Sequence, residues 1–87
     1  MKLNKNYLVH QTGSETYLIP TAGAAFNGMV RGNATFGAIL ELLQQDTTEE
    51  EIVSALCGRF SGTTAESVAA DVGKAVSRLR GIGAIDD

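Results

Sequence analysis

Tryptophan is absent from the sequence, and cysteine, histidine and proline each occur once. The lone cysteine, Cys57, cannot close an internal disulfide, and one thiol with one imidazole, His10, cannot build a structural zinc site. The fold must therefore hold by packing alone. Its core is thin, because a chain of this size buries roughly 60–65% of its unfolded surface. No apolar run approaches the roughly 18 residues of a transmembrane helix. The opening stretch from Met1 to Asn6 is polar and lacks the apolar middle of a secretory signal, so the cytoplasm is the expected compartment and no membrane partner is expected. A basic excess is missing too. Seven Lys and Arg against ten Asp and Glu leave a net charge of −3, the wrong sign for neutralising phosphates, and no nucleic-acid partner is expected.

What is present is ordinary globular material. Hydrophobic residues make up 44% and charged residues 20% of the 87, which fits one domain over residues 1–87 and argues against disorder. The first third reads as strands. Tyr7 to Thr12 and Glu15 to Ile19 are rich in β-branched and aromatic residues, and Gly13-Ser14 between them suits a type II′ hairpin turn. Pro20 ends the second strand because it has no N–H to donate. Thr21 to Asn27 reads as a loop and Gly28 to Arg31 as a short third strand. The buried face of each strand stays open, since Tyr7-Leu8-Val9 and Leu18-Ile19 break strict alternation.

The remainder has helical periodicity. Asn33 caps a first helix over Ala34 to Gln45, with Phe36, Ile39, Leu40 and Leu43 on one face. Thr48 with Glu51 forms a capping box for a second helix carrying Ile52, Val53, Leu56, Cys57 and Phe60 on its apolar side, and Ser61-Gly62 ends it. Thr63 with Glu66 opens a third helix to Arg80, striped by Val68, Val72, Ala75, Val76 and Leu79. Gly81 supplies its stop, and Ile82 and Ile85 fold back onto the core. The order β-β-β-α-α-α is a segregated α+β arrangement.

Candidate chemistry is sparse. His10 lies in a strand with no Ser or Cys nucleophile paired to it, and Cys57 sits on an apolar stripe, where a thiol is expected to be buried and inert. Glu49, Glu50 and Glu51 occupy a helix's first turn, where the dipole already explains them. Asp86-Asp87 is expected to be frayed. Gly81-Ile82-Gly83 lacks the third glycine, the preceding strand and the following helix of a dinucleotide site. No catalytic residue, metal site or cofactor is assigned. A helix-turn-helix reading must also be weighed, with Lys74, Arg78 and Arg80 on the third helix. Its N-terminal end, however, offers Ala65, Glu66, Ser67 and then Asp71, and acids there repel phosphate.

The third strand carries no proline or lysine guard, and an unguarded edge is either a liability or a docking site. An added peptide of about five residues could make several backbone hydrogen bonds there, each contributing roughly 0.5–1.5 kcal/mol. Composition alone favours the simpler reading, in which Met29 and Val30 merely complete the core.

A family resemblance shifts that balance. The run from Met29 through Arg31-Gly32-Asn33-Ala34 to Leu42-Leu43 resembles the PqqD pattern of a short hydrophobic strand, Asn, and an aliphatic helix ending in Leu-Leu. Thr48-Glu49-Glu50-Glu51-Ile52 through Leu56 resembles that family's "T-x-x-E-I-x-x-x-L" segment, and Phe60, Asp71-Val72, Leu79 and Gly83-Ala84-Ile85 fit the remainder. Members of the family, also called RiPP recognition elements, are small winged helix-turn-helix-like domains with a three-stranded antiparallel N-terminal sheet followed by three helices. They are non-catalytic peptide chaperones of natural-product biosynthesis. Each binds the leader of a ribosomally made precursor peptide by strand addition, against the third helix, beside a modifying enzyme that is often a radical SAM protein. The resemblance implies a peptide-binding edge of Gly28, Met29, Val30 and Arg31. It implies an opposite wall from Val68, Asp71, Val72, Lys74, Ala75, Val76 and Arg78. Gly32 replaces a common leucine, and Ala34 a frequent acid, which implies a looser start to the first helix. The missing Trp-rich early region implies a pathway other than pyrroloquinoline quinone synthesis. The competing readings are a winged-helix regulator of DNA or protein and a homodimer that pairs the same edge with its own copy.

Overall fold

The computed structural model describes residues 1–24, 28–60 and 62–87. Along the chain come β1 (Lys2–Leu3), β2 (Tyr7–Thr12), β3 (Glu15–Pro20), β4 (Val30–Gly32), α1 (Ala34–Leu42), α2 (Glu49–Arg59), α3 (Ala65–Gly81) and β5 (Ile85–Asp86). Residues 25–27 of the expected loop and Ser61 of the expected helix stop lie outside the described residues.

The Gly13-Ser14 turn sets the sheet. Gly13 has φ +55° while Ser14 keeps negative φ, which excludes type I′ and leaves the expected II′ pattern. Tyr7 then pairs with Pro20 and Thr12 with Glu15, and β4 adds antiparallel to the far side of β3, giving the order β2-β3-β4. The faces that the sequence left open are now assigned. Tyr7, Thr16, Leu18 and Val30 point into the core, whereas Leu8, His10 and Arg31 are exposed.

Each helix starts on a side-chain oxygen. Asn33 Oδ1 accepts from the Phe36 N–H at 3.0 Å, Thr48 Oγ1 from Glu51, and Thr64 Oγ1 from Ser67, both at 3.1 Å. The last differs from expectation by one residue. Thr64, not Thr63, is the cap, and Glu66 contributes first-turn charge without a reciprocal capping bond. α1 stops at Leu42 short of the expected Gln45, with Leu43 as its cap and fully buried. At the end of α3 the stop is Gly83, not Gly81. Gly83 takes φ +73°, its N–H reaches the Arg80 carbonyl at 3.1 Å, and the Ala84 N–H reaches the Leu79 carbonyl at 2.8 Å. This is a Schellman motif, and its two flanking apolar residues, Leu79 and Ala84, are both buried.

Helix α1 covers one face of the sheet, and α2 and α3 pack on α1 and on each other. Leu18 and Val30 from the sheet meet Ile39, Leu40 and Leu43 of α1 and its cap, Ile52 and Leu56 of α2, and Val72, Val76 and Leu79 of α3. Cys57, expected among them, is exposed. One residue beyond Leu56 turns the side chain by about 100°, off the narrow stripe that α2 buries. The ends of the chain are also tied down. Leu3 pairs with Ile85 and Lys2 with Asp86, Asn4 Nδ2 donates to Asp86 Oδ1 at 2.9 Å, and Arg80 pairs with Asp87. The Asp86-Asp87 terminus is thus not frayed.

One side chain joins the sheet to the end of α3: the Tyr7 hydroxyl donates to the Ile82 carbonyl at 2.5 Å. Because Tyr7 is 4% exposed, Tyr7→Phe leaves a carbonyl without its partner and water with little access to it. A loss of about 1–2 kcal/mol is expected in urea unfolding.

Candidate functional site

Strand β4 is the open edge of the three-stranded sheet. Hydrogen-bonded and non-bonded pairs alternate in an antiparallel ladder, so counting out from the two-residue turn fixes which backbone groups are free. Thr12 and Glu15 flank the turn as a bonded pair, which leaves Thr16 and Leu18 to bond across to Gly32 and Val30. Arg31, opposite Tyr17, therefore turns its N–H and C=O away from β3 and toward the open edge. Within β4 it is the only residue so placed.

That edge borders a groove of about 310 Å³ between the β4–α1 corner and α3. Gly32 and Asn33 form its rim, and Thr35, Phe36 and Ile39 line the α1 side. The opposite wall is one face of α3, where Asp71, Lys74, Ala75 and Arg78 recur at helical spacing. Asp71, Lys74 and Arg78 are exposed, and none has an ion-pair partner among the described residues. Arg80, the third cation of the helix-turn-helix reading, is held by Asp87, whose carboxyl these hydrogen bonds keep below the ordinary carboxylate range.

The residues expected at the site divide. Asp71, Lys74, Ala75 and Arg78 line the groove, and Arg31 precedes its rim residue Gly32 on β4 without lining it. Gly28 and Met29 fall outside the strand, which begins at Val30 and runs one residue further to Gly32. Val30 faces the core at 4% exposure, while Met29 is 60% exposed, so only half of the core reading for that pair applies. Val72 and Val76 are buried beneath α3 and line no groove, and Val68 lines a different hollow. Ala75, not Val76, faces the groove.

Gly32, Asn33, Thr35, Phe36 and Ile39 were not expected there. The departure at Gly32 was the signal that could have found them. A Cβ built on Gly32 would collide with the Phe36 ring, so the aromatic side chain occupies the space a side chain at position 32 would need. The helix starts on a side-chain cap, Asn33, despite the departures at Gly32 and Ala34.

The sheet has a second edge, on β2, beside a hollow of about 510 Å³ that includes Glu41 and Gln44. There the outward N–H of Tyr7 is taken by the Asn4 carbonyl at 3.2 Å and Glu41 is paired with Arg59, while Val9 and Gln11 turn their N–H and C=O outward by the same count. On the outer sheet face, the Tyr17 hydroxyl donates to Glu15, which holds the phenol above its usual range and protonated. Among the described residues no group of three or more His, Cys, Asp or Glu could hold a metal ion, and no helix is long and apolar enough to cross a membrane.

The Gly32–Phe36 contact yields a prediction for this corner. Gly32→Leu, the common family residue, is expected to cost about 1–3 kcal/mol through overpacking. In the background of Phe36→Ala the same change should cost much less or restore stability, a coupling of at least about 1 kcal/mol in a denaturant double-mutant cycle.

No curated protein matches the sequence. Among solved structures, the fold is similar to "TbiB1 in complex with the TbiA(beta) leader peptide", with TM-score 0.78, 21% identity and full coverage of both chains. The family model described as coenzyme PQQ synthesis protein D matches residues 8–85. Together with the β-then-α order and the open β4 edge, that match over most of the chain places this protein in the PqqD family.

Proposed function

We propose that this protein binds the leader segment of a ribosomally made precursor peptide as a fourth strand along β4, seated in the groove against α3, and presents the precursor to a separate modifying enzyme without catalysing a reaction itself. The observation that carries the reading is the outward N–H and C=O of Arg31 at the open β4 edge, next to a groove that begins at Gly32, with Phe36 and Ile39 on one side and unpaired charges on the other. Family membership supports it, as does a fold shared with a protein solved in complex with a leader peptide.

The energetics say what such a peptide must bring. The edge is three residues long, shorter than the sequence suggested, and it offers one outward donor and one outward acceptor. Two backbone hydrogen bonds contribute roughly 1–3 kcal/mol in all. Ordering a flexible segment costs on the order of 2–5 kcal/mol, so strand addition alone comes out near or below zero. Apolar side chains laid on Phe36, Ile39 and Ala75 must supply the surplus, at roughly 1.5–3 kcal/mol for each one fully buried. Lys74 and Arg78 favour acidic side chains on the leader where it passes α3, and Asp71 favours a basic one. A radical SAM enzyme is one class of partner that would receive the precursor.

Backbone docking is separable from side-chain docking at Arg31. Arg31→Pro removes the outward N–H and spares the ladder to β3, a substitution that edge strands tolerate. With the leader of a precursor encoded beside this gene, Arg31→Pro should weaken binding about tenfold or more by calorimetry, and Arg31→Ala by threefold or less. Equal affinity for the proline variant and the parent would refute strand addition.

A further inference from the structure

The groove beside β4 has a neighbour. A second hollow of about 180 Å³ lies at the corner between α2 and α3, lined by Leu56, Phe60, Thr63 and Val68. The two hollows share Thr35 and Asp71 in their linings, so they lie side by side across that pair. Their linings differ. The first has three charged side chains on its wall; the second has only the shared Asp71, beside the buried Leu56 and Val68 and Phe60, which stands at the end of α2 and is 36% exposed. A cavity of about 150 Å³ lined by apolar side chains accepts benzene, so a hollow of this size has room for one large apolar side chain.

Phe60 is otherwise hard to account for. It stands at the C-cap of α2 in extended conformation, its N–H bonded to the Leu56 carbonyl at 2.9 Å. The backbone role needs no aromatic ring, yet the ring is part of the hollow's wall and remains partly open to water.

We infer that this hollow is a second seat for the same peptide, taking one large apolar side chain from the part of the leader beyond its strand-forming residues, after the chain turns at Thr35 and Asp71. The inference rests on the strand-addition reading and extends it. A three-residue edge with one outward donor–acceptor pair leaves strand addition short of favourable, and an adjoining, mainly apolar seat adds to what Phe36, Ile39 and Ala75 supply. The recognised ligand is accordingly bipartite: a short extended stretch, a bend, then a leucine, isoleucine or aromatic residue. Its place beside the first groove, across the shared Thr35 and Asp71, is what assigns the hollow to this peptide and not to an unrelated partner.

The test uses a peptide selected on the immobilised protein from a displayed library of random fifteen-residue peptides, titrated into isotope-labelled protein. Amide shifts are expected at Arg31 and Gly32 and also at Leu56, Thr63 and Val68. Phe60→Ala should weaken binding about tenfold, and so should Thr63→Trp, which fills the hollow from an exposed position and keeps the test valid if the first variant folds poorly. Alanine at the outlying apolar position of the peptide should weaken binding to the parent about tenfold and to Phe60→Ala little further. Shifts confined to the β4 edge and α3, with parental affinity in both variants, would overturn the second seat and leave strand addition standing. Selected peptides that bind without moving Arg31 or Gly32 would overturn strand addition and the second seat together.

Discussion

The passage from β4 into α1 takes a single residue, and the rest of the site depends on how that corner is packed. Asn33 leaves the strand, its side chain caps the helix, and three residues on the Phe36 ring fills the space over Gly32. A glycine is required there because the aromatic ring and a side chain at position 32 exclude each other. With the corner fixed, α1 runs directly beneath the sheet and buries Phe36, Ala38, Ile39 and Leu40. This leaves α3 to face the edge of β4 across a groove instead of closing over it.

The same packing leaves the edge both short and open. Val30 and Gly32 spend their backbone groups on β3, and Arg31 alone presents a free pair. Such an edge is too small to recruit a stray strand strongly. It also cannot hold a flexible peptide without help from the helices. Around it lie apolar side chains from Phe36 and Ile39, charge of both signs along α3, and an adjoining hollow that shares Thr35 and Asp71. In the proposed docking mode, recognition is divided between a backbone contact that is indifferent to sequence and side-chain seats that are not.

Much of the fold was legible in the sequence because its signals are local. The Gly13-Ser14 turn, the Asn33 and Thr48 caps and the stripe of Val68, Val72, Val76 and Leu79 each follow from spacing within one element. What was not legible required knowing what lies across a gap. Two-residue strands such as Lys2–Leu3 and Ile85–Asp86 have no periodicity to read, and they exist only because the chain ends meet. Thr63 and Thr64 are equally good caps on paper. Gly81 and Gly83 are equally good stops until the Leu79–Ala84 contact selects the second. At the site, four charged or small positions of α3 and Arg31 were read in advance, but the register of β4 was placed early, so Met29 was included and Gly32 left out. The α1 residues of the groove were missed because Phe36 and Ile39 look like plain core on a helical wheel. Their second role appears only once α3 is set beside them.

The central claim is that a peptide docks by pairing its backbone with Arg31, and the most direct measurement is NMR on the complex with a bound leader. The account predicts that the Arg31 amide becomes protected from hydrogen exchange and shows cross-strand contacts to amide and α protons of the peptide. A tightly bound peptide that leaves the Arg31 amide exchanging as in the free protein would contradict it.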